Sequence, residues 1–315
     1  MDPLRVIAGS SGFFTRAEAR SAGHDDRSVS AHLRHGVWHR IRRGAYTFAD
    51  LWASLDPVGR HRLRACAVVR SLGDAVALSH VSGALEHGLS VWNIPLGRVH
   101  VTRLDKGGGR IEGDVGHHVG RAVDEDVVSV NGLRVLRAER CALESGLLTT
   151  PEGALCVLDS GLFIGAFTAK ELMERHDVLQ AWPDMARLRI PVLMADGRSQ
   201  SVGETRGRWL FRAFSLPAPD LQIEVRDVDG TLLGICDWAW PGDGPYGEFD
   251  GKVKYGRLLR PGQDPGDAVF EEKRREDRIR EVSGRAMVRL IWSDYEEPNQ
   301  ALTAQRIERL LRRAG

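Results

Sequence analysis

The sequence predicts a multidomain protein of the α/β (α+β) class. Three observations lead there. The chain has 315 residues, enough for two or three domains. Stretches that read as helices and stretches that read as strands are interspersed from end to end. A charged strand pair late in the chain, Asp237 to Lys252, carries acids where an ordinary half-buried sheet carries apolar side chains. Hydrophobic content of 42% and charged content of 28% are those of a soluble globular protein. No apolar run is long enough to span a bilayer and no signal peptide opens the sequence, so a cytoplasmic protein without membrane contacts is expected. Cys66, Cys141, Cys156 and Cys236 are scattered, which argues against a disulfide framework or a cysteine zinc site.

Residues 1–50 read as a compact DNA-binding domain. A short helix covers residues 3–9. Thr15 and Glu18 form a capping box that opens a second helix, with Phe14 ahead of it and Gly23 at its end. A third helix runs from about Asp26 to His35 and stops at Gly36. Residues 37–48 then alternate and turn at Arg43-Gly44, as a β-hairpin does. Helices followed by a basic hairpin describe a winged helix. Residues 1–48 hold eight arginines against four acidic residues, a local charge of +4, while the whole chain carries only +1. Arg27, Ser28, Ser30 and Arg34 fall on or near the exposed face of the recognition helix. Arg40, Arg42 and Arg43 are the expected phosphate contacts of the wing.

The segments Gly12-Phe-Phe-Thr-Arg-Ala-Glu-Ala-Arg-Ser-Ala-Gly23 and Leu33-Arg-His-Gly-Val-Trp-His-Arg-Ile-Arg-Arg-Gly-Ala-Tyr46 resemble the N-terminal winged helix of AbiEi-type antitoxins. The resemblance implies a DNA-binding repressor of a toxin–antitoxin or phage-defence operon, with a cognate toxin as a further partner.

Residues 56–195 are expected to form a mixed α/β middle domain, in an order resembling the region after the winged helix of AbiEi-like proteins. Val58 to Leu72 reads as a helix, and Ala77 to Gly88 as a second one. Val99 to Thr102 is a strand, residues 106–110 a loop, and residues 116–120 lead into another strand. Residues 138–149 and 151–160 look helical. The three glycines at 107–109 lack a following Lys-Ser/Thr, so they are not a phosphate loop. His117 and His118 point to opposite faces of a strand, which argues against them as a metal pair. His80 and His87 lie seven apart on a helix with no carboxylate placed as a zincin needs, and read as packing or surface residues.

Residues 198–315 form the third expected domain, with the order α-β-β-β-α-β-α. Ser201 to Glu204 caps a helix that reaches Phe214, where Pro217 and Pro219 break the pattern. Strands follow at 222–228, 231–240 and 245–254, the first two joined by the Asp229-Gly230 turn. A charged helix covers 267–283, a fourth strand 286–292, and a basic helix follows Pro298. Asp237 ends the apolar run Leu232 to Cys236. Glu248, Asp250 and Lys252 fall at alternate positions of the next strand and so share one face. If the two strands pair, three carboxylates and one ammonium meet, an arrangement that a divalent cation neutralises and that suits a metal-dependent phosphodiesterase.

Ser201-Val-Gly-Glu-Thr-Arg-Gly-Arg208, Asp237, Glu248-Phe-Asp-Gly-Lys252 and Glu271-Glu-Lys-Arg-Arg-Glu-Asp-Arg278 together resemble the small Vsr-like branch of PD-(D/E)XK nucleases. That resemblance implies Mg²⁺ (or Mn²⁺) on Asp237 and Asp250, with Glu248 as a third ligand and Glu204 behind them or on a second ion. Lys252 then orients the attacking water, and Lys273 and Arg274 face the phosphates. Two departures stand out: Cys236 replaces the proline before Asp237, and no histidine follows the acidic block. The expected function is a Mg²⁺-dependent DNA endonuclease or nickase directed by its winged helix, with phage defence as its setting. The alternative is an AbiEi-like repressor or antitoxin with a non-catalytic nuclease fold.

Overall fold

A computed structural model describes residues 2–105, 107–120, 124–251 and 265–314, with the backbone alone at 124 and 265–272. The protein is α+β and multidomain, and its contacts divide it into two compact units. One comprises Met1–Val157 and Ala166–Ile190; the other comprises Leu158–Gly165 and Pro191–Gly315. The sequence reading separates residues 1–50 from 56–195. The contacts gather 1–157 and 166–190 into the first unit and give 158–165 and 191–195 to the second.

The first unit opens with α1 (Pro3–Ser11), β1 (Phe14–Thr15), α2 (Arg16–Ser21), α3 (Asp26–Arg34), β2 (Trp38–Arg42) and β3 (Ala45–Phe48). Side chains at the helix starts answer the free N–H groups there. The Leu4 N–H donates to Asp2 at 2.9 Å, the Ser28 N–H donates to Asp25 at 2.8 Å, and Thr15 and Glu18 cap each other reciprocally. Gly44 turns the hairpin at φ 79°, a conformation that favours glycine. β3 lies between β1 and β2, antiparallel to both. Leu4, Ala8, Ala19 and Val29 from the helices bury against Phe14, Trp38, Tyr46 and Phe48 from the sheet. Phe14 meets Trp38 edge-on at 4.8 Å.

α4 (Ala49–Ser54) and α5 (Pro57–Leu72) lead into β4 (Val76–Leu78), α6 (His80–Glu86), β5 (Val99–Arg103), β6 (Arg110–Glu112) and β7 (Val115–His118). β8 (Val127–Val130), β9 (Leu133–Leu136), α7 (Ala138–Gly146), α8 (Pro151–Phe163), α9 (Ala169–Leu179) and α10 (Arg189–Met194) follow, and α8 and α10 both cross the division between the units. Six strands form one sheet in the order β6-β7-β5-β4-β9-β8, parallel at β5/β7 and β4/β9 and antiparallel elsewhere. Here the structure corrects the reading of 77–88 as one helix. Val76-Ala-Leu78 is an interior strand, and the helix starts only at His80. A short apolar run buried on both faces has no period that distinguishes strand from helix.

The second unit holds α11 (Val202–Ala213), β10 (Asp220–Arg226), β11 (Leu232–Ala239), β12 (Tyr246–Phe249), α12 (Pro265–Ser283), β13 (Met287–Leu290) and α13 (Asn299–Ala314). This is the element order read from the sequence. The strands form one sheet in that order, antiparallel until β12 and β13, which run parallel. One face packs Trp238, Phe249 and Leu290 against Leu210 and Phe211 of α11 and Ile307 of α13. The other packs Val225, Cys236 and Tyr246 against Ile279 of α12. α11 lies so close to the sheet that a Cβ at Gly203 would land on the Phe249 ring, and one at Gly207 on the Trp238 indole.

Candidate functional site

The basic face of residues 1–48 is built by α3 and the β2–β3 hairpin. Arg27, Ser30 and Arg34 of α3 are exposed, as are Arg40 and Arg43 of the hairpin. A groove of about 710 Å³ between the two is lined by Arg16, Asp26, Ser30, Arg40, Arg43 and Tyr46. Arg16, at the start of α2, is the member the sequence reading missed. It pairs with Asp26, whose carboxyl that hydrogen bond holds below the usual range. The groove thus carries three guanidinium groups against one carboxylate. Of the predicted contacts, Ser30, Arg40 and Arg43 line it; Arg27 and Arg34 are exposed on α3 outside it, and Ser28 and Arg42 stand apart altogether. Ser28 is half-buried and donates its hydroxyl to the Asp25 carbonyl at 2.8 Å. Arg42 is half-buried and lines a separate pocket with Phe13, Ala67 and Arg70. The strand register slips between Arg40 and Arg42, and that slip separates their side chains.

The acidic residues lie in the second unit. Asp237 falls where the alternation of β11 breaks. Leu221 pairs with Trp238 and Ile223 with Cys236, so Gln222 stands opposite Asp237, and Gln222 has φ 53°. Although only two residues apart, Cys236 packs with Ile279 and Trp238 with Phe211. Asp237 Oδ2 accepts the Phe249 N–H at 2.7 Å, tying β11 to β12. Glu248 is buried and stands beside Arg289 of β13 in the parallel register. Arg275 of α12 donates to it at 2.7 Å, and Arg289 lies 3.5 Å away. Arg289 also reaches Glu276 at 2.9 Å and Asp250 at 3.9 Å.

Glu204 serves α11 itself: it accepts from Ser201 Oγ at 2.7 Å, Gln200 N–H at 2.8 Å and Gln222 Nε2 at 3.0 Å. Lys252 lies outside the described residues. Lys273 and Arg274 are exposed on α12, while their neighbour Arg275 turns inward. The other members of the Ser201–Arg208 motif have structural partners too. Thr205 and Arg208 donate to the buried carboxylate of Asp159 at 2.8 and 2.6 Å, and Arg206 pairs with Glu296 at 3.1 Å.

Asp237, Glu248 and Asp250 therefore sit on or next to neighbouring strands, but they do not close into a three-ligand group. Among the described residues, the group of three whose ligand atoms lie within 4.8 Å of one another is His80, His100 and His118. As they stand, the acids fit a divalent cation poorly, because guanidinium groups already neutralise Glu248. The histidines belong to the first unit and are buried or half-buried. Burial and the neighbouring imidazoles pull His100 down to about 3 and His118 to about 4. Glu144, fully buried, is pushed up by burial, but His80 and Arg140 outweigh that and hold it at about 2. Arg140 links Glu144 at 2.9 Å to Asp126 at 2.8 Å inside the unit.

Residues 1–49 match a family described as a transcriptional regulator, AbiEi antitoxin. This N-terminal part is therefore similar to DNA-binding antitoxin regulators. No curated protein matches the chain. A crystal structure of the RV2827C protein from Mycobacterium tuberculosis aligns with a TM-score of 0.38 at 16% identity, covering 60% of this chain and 75% of that one. No helix among the described residues is long and apolar enough to cross a membrane.

Proposed function

We propose that the protein is a DNA-binding transcriptional regulator of the AbiEi antitoxin kind. It holds duplex DNA through α3 and the β2–β3 hairpin and takes a cognate toxin as its protein partner. The observation that carries this reading is the groove in which Arg16, Arg40 and Arg43 flank the recognition helix, within the residues the antitoxin family matches. Exposed guanidiniums on two sides of a helix suit phosphates on two sides of a groove. The test is fluorescence anisotropy on a duplex taken from upstream of the gene, over a salt series. Tight binding with a steep log–log salt slope is expected in the intact chain. A binding curve that is flat in salt and survives removal of residues 1–49 sinks the reading.

A second reading keeps the unit of residues 191–315 as a Mg²⁺- or Mn²⁺-dependent endonuclease or nickase. It is supported by Asp237, Glu248 and Asp250 on or beside adjacent strands behind a helix that carries Glu204. Supercoiled plasmid incubated with the protein and Mg²⁺ or Mn²⁺, against an EDTA control, decides it. Nicking that disappears in Asp237→Ala favours this reading; intact plasmid under all three conditions removes it.

A further inference from the structure

We propose that His80, His100 and His118 form a binding site for one divalent transition-metal ion of the zinc class, with a fourth coordination position open to a cavity. The three side chains come from separate parts of the first unit. His80 stands at the start of α6, His100 on β5 and His118 on β7. Their ligand atoms nevertheless lie within 4.8 Å of one another. Imidazole is the ligand that zinc, copper, nickel and cobalt share, whereas Mg²⁺ and Ca²⁺ prefer carboxylate and carbonyl oxygen.

Four further features point the same way. His80 Nδ1 lies 3.1 Å from the buried carboxylate of Glu144 and 3.0 Å from Ser79 Oγ. A carboxylate on one ring nitrogen fixes the tautomer and leaves Nε2 to ligate, the usual support behind a metal-bound histidine. His80 also adopts φ 48°, a strained conformation for a residue with a side chain. Opposite His100 in the β5/β7 register stands Gly116. A Cβ there would come within 3.4 Å of His118 Nε2 and 3.6 Å of His100 Nδ1, so the glycine keeps space open beside two ligand nitrogens. Finally, a cavity of about 290 Å³ is lined by Pro95, Arg98, His100 and Asp114. Of the three histidines it reaches His100 alone, so the ion and an exchangeable fourth ligand, of the kind three-histidine zinc sites take, would enter past that ring.

The rings must move slightly to take the ion. They stack at 17° to 24° from parallel, and His100 Nδ1 and His118 Nε2 share one proton at 2.8 Å. With zinc–nitrogen bonds of about 2.0–2.1 Å and tetrahedral angles, two ligand nitrogens stand about 3.3 Å apart. Binding therefore moves that proton to the other nitrogen of the ring that carries it, so that both imidazoles stay neutral, parts the two ligand nitrogens by about half an ångström and turns the rings so that their lone pairs converge. It also ties α6 to β5 and β7, so the ion stabilises the folded first unit.

The full-length chain, stripped with a chelator and dialysed, is titrated with Co²⁺ and separately with Zn²⁺. The expected result is one equivalent of Co²⁺ with the intense visible absorption of a four-coordinate ion, displaced by Zn²⁺, and a Zn²⁺-dependent rise in melting temperature. His118→Asn, with an unchanged circular dichroism spectrum, is expected to weaken binding about a hundredfold. An ion held by Asp237, Glu248 and Asp250 instead gives the weak spectrum of six-coordinate, oxygen-bound Co²⁺ and is insensitive to His118→Asn. Either that spectrum alone or undiminished affinity in the folded variant overturns the proposal. The wild-type spectrum decides the question even where a variant fails to fold.

Discussion

The winged helix and the acidic strand pair both present several charges on regular elements, and they handle them in opposite ways. In residues 1–49 Arg27, Arg34, Arg40 and Arg43 of α3 and the hairpin are exposed, while Arg42 is half-buried. Their groove holds three guanidiniums against the single carboxylate of Asp26. In residues 191–315 Glu248 meets Arg275 of α12 and Arg289 of β13, and Asp250 lies 3.9 Å from Arg289, while Asp237 is tied to the backbone of β12. An outward surplus of one sign is a surface for a polyanion. An inward set of charges needs partners supplied by the fold, because an unpaired carboxylate on a buried strand is expensive. A row of like charges therefore says little about a ligand until its partners are known.

Four changes break or sharpen that contrast. The largest effect is expected from Phe14→Ala, which empties the centre of the winged-helix core. Loss of about 4 kcal/mol in urea unfolding is expected, with DNA binding lost alongside, since large aromatic truncations cost about 3–5 kcal/mol. A loss below about 1 kcal/mol would show that the core lies elsewhere. Next comes Arg40→Ala/Arg43→Ala, which leaves the core untouched. It should lower DNA affinity about a hundredfold at low salt and flatten the log–log salt slope by about 2, at roughly 0.9 per phosphate contact. An unaltered slope would mean that the groove does not face DNA.

Arg275→Ala strips Glu248 of its nearest cation. Stability is expected to fall by about 2 kcal/mol, below the roughly 3–5 kcal/mol of a fully buried pair because Arg275 is partly exposed. DNA binding through residues 1–49 should stay as it was. Replacing both partners, Glu248→Leu/Arg275→Leu, should recover most of that loss. If the double variant is no better than the single one, Glu248 has a role beyond charge pairing, and the metal reading of this strand gains ground. The smallest effect is Thr15→Ala, which removes one half of the capping box and should cost about 1 kcal/mol in the same unfolding assay.

Local signals carry the reading of the winged helix. The Thr15/Glu18 box and the Arg43-Gly44 turn each act over a few residues and are found in place; residues 37–48 form the hairpin, although β3 is buried at every position and the register slips in β2. Local signals also carry the element order of residues 198–315. Two failures are instructive. β4 reads as helix, for want of any period in three apolar residues. The β8–β9 hairpin is absent from the sequence reading, although Asn131-Gly132, at φ 51° and 76°, is the commonest two-residue turn signal. There the signal is present in the sequence, and the reading passes over it.

The site residues divide along the same line. Alternation along a strand tells which of Glu248 and Phe249 share a face with their neighbours, because side-chain direction has a period of two. It does not tell what lies across that face. Arg275 comes from a helix further along the chain, and Arg289 from a strand that pairs in parallel, so the neutralisation of Glu248 is set by chain crossing. The same holds for His80, His100 and His118. They lie 18 to 38 residues apart in the sequence, and only the β5/β7 register and the docking of α6 bring them within 4.8 Å. Caps, turns and alternation depend on bonds within one stretch of backbone. Charge pairing and metal geometry depend on distances between stretches, and those exist only once the sheets have formed.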